Sequence, residues 1–234
     1  MSRKLFTLAA VAVPAVPALA VAQTTPPPGP PPAPLAPPTA SDYRTPDPQN
    51  VLVIDTNKGR ILVEMVPAVA PNHVVRARTL ARQGSYDGKT FFRVIDGFMA
   101  QTGDPNNDGT GSSGDPDLDP EFLFRRGAAG PMTVIMDGAV NATGFVGPLP
   151  VRSQNSMLMA MTNDQKVSAW ALYCPGVAAM ARGGAPDSAN SQFFLMRDDY
   201  PSLEQKYTAW GRVISGLDGV RAIKTGEPVA EPRD

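Results

Sequence analysis

The sequence predicts a mainly β fold, a closed barrel capped at its ends. Three observations carry this: short β-rich runs at moderate spacing, glycine-rich turns between them, and only two segments with a helical pattern. The first two runs, residues 51–55 and 60–65, flank Asn57-Lys58-Gly59, the composition of a tight hairpin, so the fold opens with antiparallel strands. Pro71 then stands where the first turn of a helix tolerates it, apolar positions recur at Val74, Ala77 and Ala81, and Gly84 supplies a stop. His73 falls on this helix and is expected at the surface. Further strands are expected at residues 90–95, 99–102, 177–181, 192–196 and 208–214, and a second short helix at 216–224. Residues 126–172 show no sustained helical or strand period. They are expected to be a long irregular insertion lying over one side of the barrel. Within them Met157, Met159 and Met161 alternate as one half-buried strand does; an adaptable apolar surface is the alternative.

Composition divides the chain before any motif is considered. Arg3 and Lys4 precede an apolar run, residues 5–21, that ends in Ala20-Val21-Ala22, the pattern of a secretory signal cut before Gln23. Pro14 and Pro17 interrupt that run, which is short for a bilayer, so no stable membrane span is expected after signal removal. Export, with the periplasm as the expected compartment, follows. Residues 23–48 hold eleven prolines and few large apolar side chains. Such a segment cannot bury enough surface to offset the entropy of ordering, and it is expected to be a disordered, extended tether. Residues 49–234 are one domain's worth of chain. Over the whole sequence 21 Lys and Arg face 22 Asp and Glu; the first 22 residues hold two of those cations and no anion, leaving a net charge of −3 without them. No basic excess suggests a nucleic-acid partner.

Nucleophilic and metal chemistry find little support. The single cysteine, Cys174, cannot form an internal disulfide, and Leu172, Tyr173 and Val177 around it suggest a buried small hydrophobe. With one histidine, a histidine-rich zinc site is excluded. Asp104-Pro105-Asn106-Asn107-Asp108-Gly109 matches half of a calcium loop, with Asp115 at the twelfth position, but a strand precedes it and glycines follow where a helix is required.

The residues that do carry chemistry are Phe-Phe-Arg-Val-Ile-Asp-Gly-Phe-Met-Ala-Gln from Phe91, Gly-Val-Ala-Ala-Met-Ala-Arg from Gly176, and Asn-Ser-Gln-Phe-Phe from Asn190. They combine a fixed cation, two amides and large apolar side chains, a mixture suited to a reaction in which no covalent bond changes. In this order and spacing the motifs resemble the cyclophilin peptidyl-prolyl isomerases over roughly residues 51–224. The resemblance implies an eight-stranded antiparallel β-barrel with two capping helices, no cofactor or metal, and proline-containing polypeptides as partners. It implies Arg93 as the catalytic arginine, on a strand with Phe91 and Ile95 on the same face, and Gln101 as the amide holding the substrate backbone. Phe98, Met99, Phe194 and Leu203 match the pocket for the proline ring. Ala181 and Arg182 match the strand edge that pairs with the substrate main chain, and Gln192 matches a polar position that orients the backbone or Arg93.

The chain departs from the family pattern at four places. Arg182 stands where an asparagine is frequent, Tyr207 where a histidine is, and Ser202 precedes Leu203 where many eukaryotic members carry tryptophan, which implies weak binding of cyclosporin. The family's final strand is not legible in Glu227-Pro228-Val229-Ala230-Glu231-Pro232-Arg233-Asp234, so either the chain is truncated or another segment covers that edge. The resemblance implies isomerisation of X-Pro bonds in folding proteins. Two alternatives stay open: a non-catalytic chaperone or scaffold for proline-containing segments, favoured if the insertion covers the groove, and a hollow barrel around a small apolar ligand.

Overall fold

A computed structural model describes residues 37–226; the expected signal, most of the proline-rich tether and the tail at 227–234 lie outside the described residues. The chain divides between Arg44 and Thr45 into two units. In the first, the described residues form one 3-10 turn, Ala40–Asp42, whose Asp42 carboxylate accepts from the N–H and hydroxyl of Thr39 at 2.6 and 2.8 Å. Everything that follows concerns the second.

In chain order the second unit builds β1 (Val51–Thr56), β2 (Gly59–Met65), α1 (Pro71–Arg82), β3 (Arg93–Ile95), β4 (Met99–Thr102), β5 (Phe124–Arg126), β6 (Thr133–Asp137) and β7 (Asn141–Val146). There follow β8 (Leu149–Gln154), β9 (Val167–Ala171), β10 (Val177–Met180), β11 (Phe193–Met196), β12 (Ala209–Ser215) and α2 (Leu217–Arg221). Twelve strands among the described residues form two antiparallel sheets, ordered β1-β2-β12-β10-β11-β4-β3 and β5-β9-β8-β7-β6.

The seven-stranded sheet contains the strands expected from sequence; β1, β2 and β12 run one residue further than expected at one end, while β3, β10 and β11 are trimmed. Only Arg93–Ile95 of the expected 90–95 run pairs, because Thr90 to Phe92 lead into the sheet without joining it. The expected mainly β, curled antiparallel sheet is present, but its closure into an eight-stranded ring is not complete among the described residues, where β1 and β3 end the sheet. The chain nevertheless returns to β3 after α2, where Val94 and Gly226 exchange both backbone hydrogen bonds, at 2.6 and 2.9 Å. The second helix is also shorter than expected, five residues, since Gly216 enters it in the left-handed region at φ +85° and the chain leaves helical pairing at Ala222.

The central strands are apolar on both faces. β10 reads Val-Ala-Ala-Met and β11 Phe-Phe-Leu-Met, and all eight residues are buried. Strand alternation sends Ala178, Met180, Phe193 and Leu195 to one side, where they pack with Ile61, Val63, Trp210 and the buried face of α1. It sends Val177, Ala179, Phe194 and Met196 to the other, against Leu149, Val151, Ala169 and Tyr173. The second sheet is therefore what covers the outer face of the first.

That second sheet corrects the reading of residues 126–172 as irregular. Its strands escape a pattern search for local reasons: β5 has three residues, Pro150 interrupts β8 where proline is a poor strand former, and Gly144 interrupts β7. Gly144 is required by the packing itself, since a Cβ there would stand 2.0 Å from the Thr133 carbonyl oxygen on β6. Met157 to Met161 do not form a strand; Ser156–Met161 is a 3-10 helix opened by the Asn155 side chain, with Met159 at 9 % exposure and Met157 and Met161 both at 81 %.

Helix α1 keeps the expected Pro71 start, but its buried stripe is His73, Val74, Ala77 and Leu80. The surface expectation for His73 is wrong because Glu121, from the loop before β5, reaches over the helix start. Its carboxylate accepts from the Asn72 and His73 N–H groups at 3.1 Å each and meets His73 Nδ1 at 2.7 Å. Ala70 offers no side-chain cap, so this distant carboxylate does the capping and complements the helix dipole. Burial alone would raise the Glu121 pKa; the hydrogen bonds from His73 and the helix N–H groups outweigh it and hold the carboxyl below its ordinary value. A depressed folded-state pKa contributes stability that is complete above the ordinary carboxyl range and is lost as pH falls through the folded value. Glu121→Ala is expected to cost about 1–3 kcal/mol in denaturant unfolding at pH 7, and to flatten the acid limb of the stability curve. Equal stability of variant and parent at neutral pH would contradict the capping role.

Candidate functional site

A groove of about 330 Å³ opens on the seven-stranded sheet, lined by Phe92, Arg93, Phe98, Met99, Gln101, Gly109, Ala181, Arg182, Phe194, Leu203 and Tyr207. Nine of the ten residues singled out from the sequence are in this lining. The tenth, Gln192, stands directly behind Gln101. A larger hollow of about 800 Å³, between β1 and Lys89 to Phe91, shares none of these residues and marks the seam between the two end strands.

The register of the sheet assembles the polar part of the groove. Arg93 and Gln101 are paired across β3 and β4, and Gln101 and Phe194 across β4 and β11. Arg93 Nη1 donates to Gln101 Oε1 at 3.2 Å, and Gln101 Nε2 donates to Gln192 Oε1 at 2.9 Å. Gln192 Nε2 in turn donates to the Gly111 and Gly109 carbonyl oxygens at 2.8 and 3.3 Å. Phe91 lies outside the paired part of β3 and packs in the cluster on the helix side, while Ile95 packs with the groove cluster, so the two do not share a face as expected.

Asp104 holds the loop at the far end of this chain. Its buried carboxylate accepts from the N–H groups of Asn106 and Asp108 at 3.0 and 2.9 Å and from that of Gly109. Burial works against the charged form, yet these backbone donors, with that of Gly111, win and hold the pKa below its ordinary value. The loop resembling half of a calcium site thus turns its first carboxylate inward onto its own backbone. Entry to the loop depends on Gly103, at φ +83°, where a Cβ would stand 2.7 Å from the Ser191 carbonyl oxygen.

Apolar residues form the rest. Met99 is the fully buried floor, and Leu203 comes from the 3-10 turn Pro201–Leu203. Phe194 meets Tyr207 edge-on at 5.9 Å between centroids, and Phe98 meets Tyr200 at 4.4 Å. Arg182 lies over the Tyr207 ring, its guanidinium carbon 4.5 Å from the centroid. Two of the four places at which the sequence departs from the family pattern are thus partners.

Residues that sequence reading missed support this wall from the insertion. Tyr173 stacks on Phe194 at 6.5 Å and donates to the Tyr207 carbonyl at 2.8 Å; burial raises its phenol well above the ordinary value, keeping it a donor. Trp170 Nε1 and Arg152 Nη1 reach Glu204 Oε2 at 3.0 and 3.5 Å, clamping the residue after Leu203. Separations of 34 and 52 residues left no local signal for these pairs. Cys174 is only half-buried, lies outside the groove lining, and burial with the nearby Asp199 pushes its thiol up, against nucleophilic use.

The comparisons with known proteins agree on one family and fold. Residues 51–233 match the family model described as cyclophilin type peptidyl-prolyl cis-trans isomerase/CLD. The chain is 36 % identical over 194 residues to a probable peptidyl-prolyl cis-trans isomerase of Brucella suis biovar 1 (strain 1330), covering 77 % of this chain and 74 % of that one. It is 30 % identical over 182 residues to peptidyl-prolyl cis-trans isomerase B of Bacillus subtilis (strain 168), covering 78 % and 94 %. Among solved structures it is similar to cyclophilin AquaCyp293 from Hirschia baltica, with a TM-score of 0.76 and 36 % identity over 84 % of this chain and 78 % of that one. A Cryptosporidium parvum cyclophilin type isomerase solved in the presence of the dipeptide Ala-Pro shares the fold, with a TM-score of 0.53 at 20 % identity over 79 % of this chain and 92 % of that one.

Replacing Asp104 by Asn removes the charge and turns one of its two accepting oxygens into a donor in the loop behind Gln192. Hydrogen exchange at Asn106, Asp108 and Gly109 is expected to speed up by about tenfold, the equivalent of one hydrogen bond to a charged group. Unchanged exchange at all three amides would show that the loop holds itself.

Proposed function

The chain belongs to the cyclophilin-type peptidyl-prolyl cis-trans isomerases, and we propose that Arg93 and Gln101 carry out its reaction in the groove between β4, β10 and β11. The enzyme accelerates rotation about X-Pro peptide bonds. Partial double-bond character sets the barrier at about 18–20 kcal/mol, and uncatalysed exchange takes tens to hundreds of seconds. A catalyst has to favour the twisted amide, in which conjugation is lost and the prolyl nitrogen regains its lone pair.

Arg93 is suited to donate to that lone pair. A guanidinium stays charged and presents several N–H donors in a fixed plane, so it loses no proton in the cycle. Its Nη1 rests on Gln101 Oε1 at 3.2 Å, which aims the group into the groove without neutralising it. The Gln101 amide offers a donor and an acceptor to the part of the substrate that does not rotate. Phe98, Met99, Phe194 and Leu203 accept the proline ring, and the Ala181–Arg182 edge with Tyr207 accepts the main chain beside it. Gln192 positions Gln101. The single observation that carries the assignment is the Arg93–Gln101–Gln192 hydrogen-bond chain laid across an apolar floor.

None of the residues lining the groove comes from 126–172, so the insertion supports the pocket wall and leaves the mouth open to a polypeptide. That favours catalysis over the scaffold alternative. The buried side chains inside the curled sheet, Trp210 and Phe193 among them, fill the space that a small apolar ligand would need.

The proposal extends to where the enzyme works. The basic start, the apolar run to Val21 and Ala20-Val21-Ala22 support export, and the eleven prolines of residues 23–48 support an extended tether holding the domain at a distance from its start. Among the described residues no helix is long and apolar enough to cross a membrane. Mass spectrometry of the protein recovered from a periplasmic fraction is expected to give a chain starting at Gln23; an intact Met1 terminus in that fraction would overturn the signal reading.

Catalysis is tested by the cis-to-trans rate of a short Ala-Pro peptide. The protein is expected to accelerate it strongly, and Arg93→Ala to lower kcat/KM by about 100-fold, the usual cost of removing one donor aimed at a transition state, with an unchanged far-UV spectrum. A variant as active as the parent would remove Arg93 from the mechanism. In the same assay cyclosporin is expected to inhibit weakly, because Ser202 supplies no indole beside Leu203; tight inhibition would refute that reading.

A further inference from the structure

The groove carries two fixed cations. Arg93 and Arg182 both line it, and its described lining contains no carboxylate. Two acidic residues adjoin the lining in sequence: Glu204 has a side chain only 15 % exposed and is engaged by Arg152 and Trp170, and Asp108 accepts from the Thr110 N–H and hydroxyl.

Arg182 is held rather than loose. Nε donates to the Lys206 carbonyl at 3.0 Å, and Nη1 donates to the Gly183 and Gly184 carbonyls at 3.0 and 3.3 Å. The guanidinium carbon stands 4.5 Å from the Tyr207 centroid and 5.9 Å from that of Phe122. These contacts are all to neutral groups, so the full positive charge persists at the groove. Stacking on Tyr207 and three backbone carbonyls fix its place, so much of the rotamer entropy that a free arginine would lose on binding a ligand is already lost. Side-chain Nη2 has no partner among the described residues and remains as a donor for a ligand.

We infer that Arg182 makes the enzyme selective for proline segments carrying Asp or Glu immediately before or after the proline. The inference rests on the groove being the site that takes the proline ring. A residue step along an extended chain spans about 3.3–3.6 Å, so a residue one or two places from a seated proline lies within reach of a side chain that lines the same groove. A substrate carboxylate there gains a charge-assisted hydrogen bond from Nη2 and the attraction of the Arg182 charge, while a lysine at that place meets its repulsion. Stacking on Tyr207 is what aims the charge.

The test is kcat/KM for short peptides with Glu, Ala or Lys placed immediately before the proline, and in a second series immediately after it. At low salt the order Glu, Ala, Lys is expected in at least one series, with a span of roughly three- to tenfold, as exposed ion pairs give. The span is expected to collapse at about 1 M salt, where the Debye length is about 3 Å. Arg182→Gln is expected to shrink the span by half or more, and Arg182→Lys to keep most of it. Equal rates across both series in the parent protein would overturn the inference whether or not a variant folds, while leaving the isomerase intact. A span unchanged in folded Arg182→Gln would overturn it too, placing the selectivity elsewhere. No turnover of the Ala-Pro peptide would instead sink the reading of the groove itself.

Discussion

Two-sided burial of the central strands is the constraint on which the rest depends. β10 and β11 have no polar residue on either face, and their eight side chains are divided between a cluster under α1 and a cluster under the insertion sheet. At about 25 cal/mol per Å² of apolar surface, removing the outer cluster's cover would expose side chains such as Phe194 and Met196, each worth about 1.5–3 kcal/mol when buried. A sheet with such strands needs a second layer, and residues 124–171 supply it. The groove lies at the border where that layer stops.

The border explains the mixture of side chains at the site. On the covered side, Met99 and Phe194 are core residues that also form a binding floor. On the open side, Arg93 can stay charged because it keeps a partly exposed position and an amide partner. A chain of neutral amides then links the arginine to a loop whose only buried charge, Asp104, is compensated by backbone N–H groups. Each amide in this chain is engaged by the next, so Gln101 orients the arginine through a neutral acceptor.

The insertion acts on the same wall from the other side. Trp170 and Arg152 hold Glu204, Tyr173 holds the Tyr207 carbonyl, and the Tyr173 carbonyl accepts from the Tyr200 N–H, so the turn bearing Leu203 is fixed at both ends. These are contacts of fixed secondary structure with a short turn, which would otherwise be among the more mobile parts of the fold. The charge on Arg182 stacks on the ring that this support holds still.

By itself the sequence determined the strand runs of the main sheet, the start of α1 at Pro71, and the motifs carrying Arg93, Gln101, Gln192 and the apolar pocket, because each is a local pattern with a fixed period or a fixed order of residue types. Tyr207 and Arg182 were visible as departures but not as a pair. Three matters were decided only in the tertiary structure. Residues 126–172 became a sheet because an apolar face needed covering, which overrode Pro150 and Gly144. His73 went inside because a carboxylate 48 residues away met it at the helix start. The proline pocket gained its support from Trp170, Arg152 and Tyr173 because long-range packing brings together side chains whose separation leaves no periodicity to read, so no local pattern could have announced them.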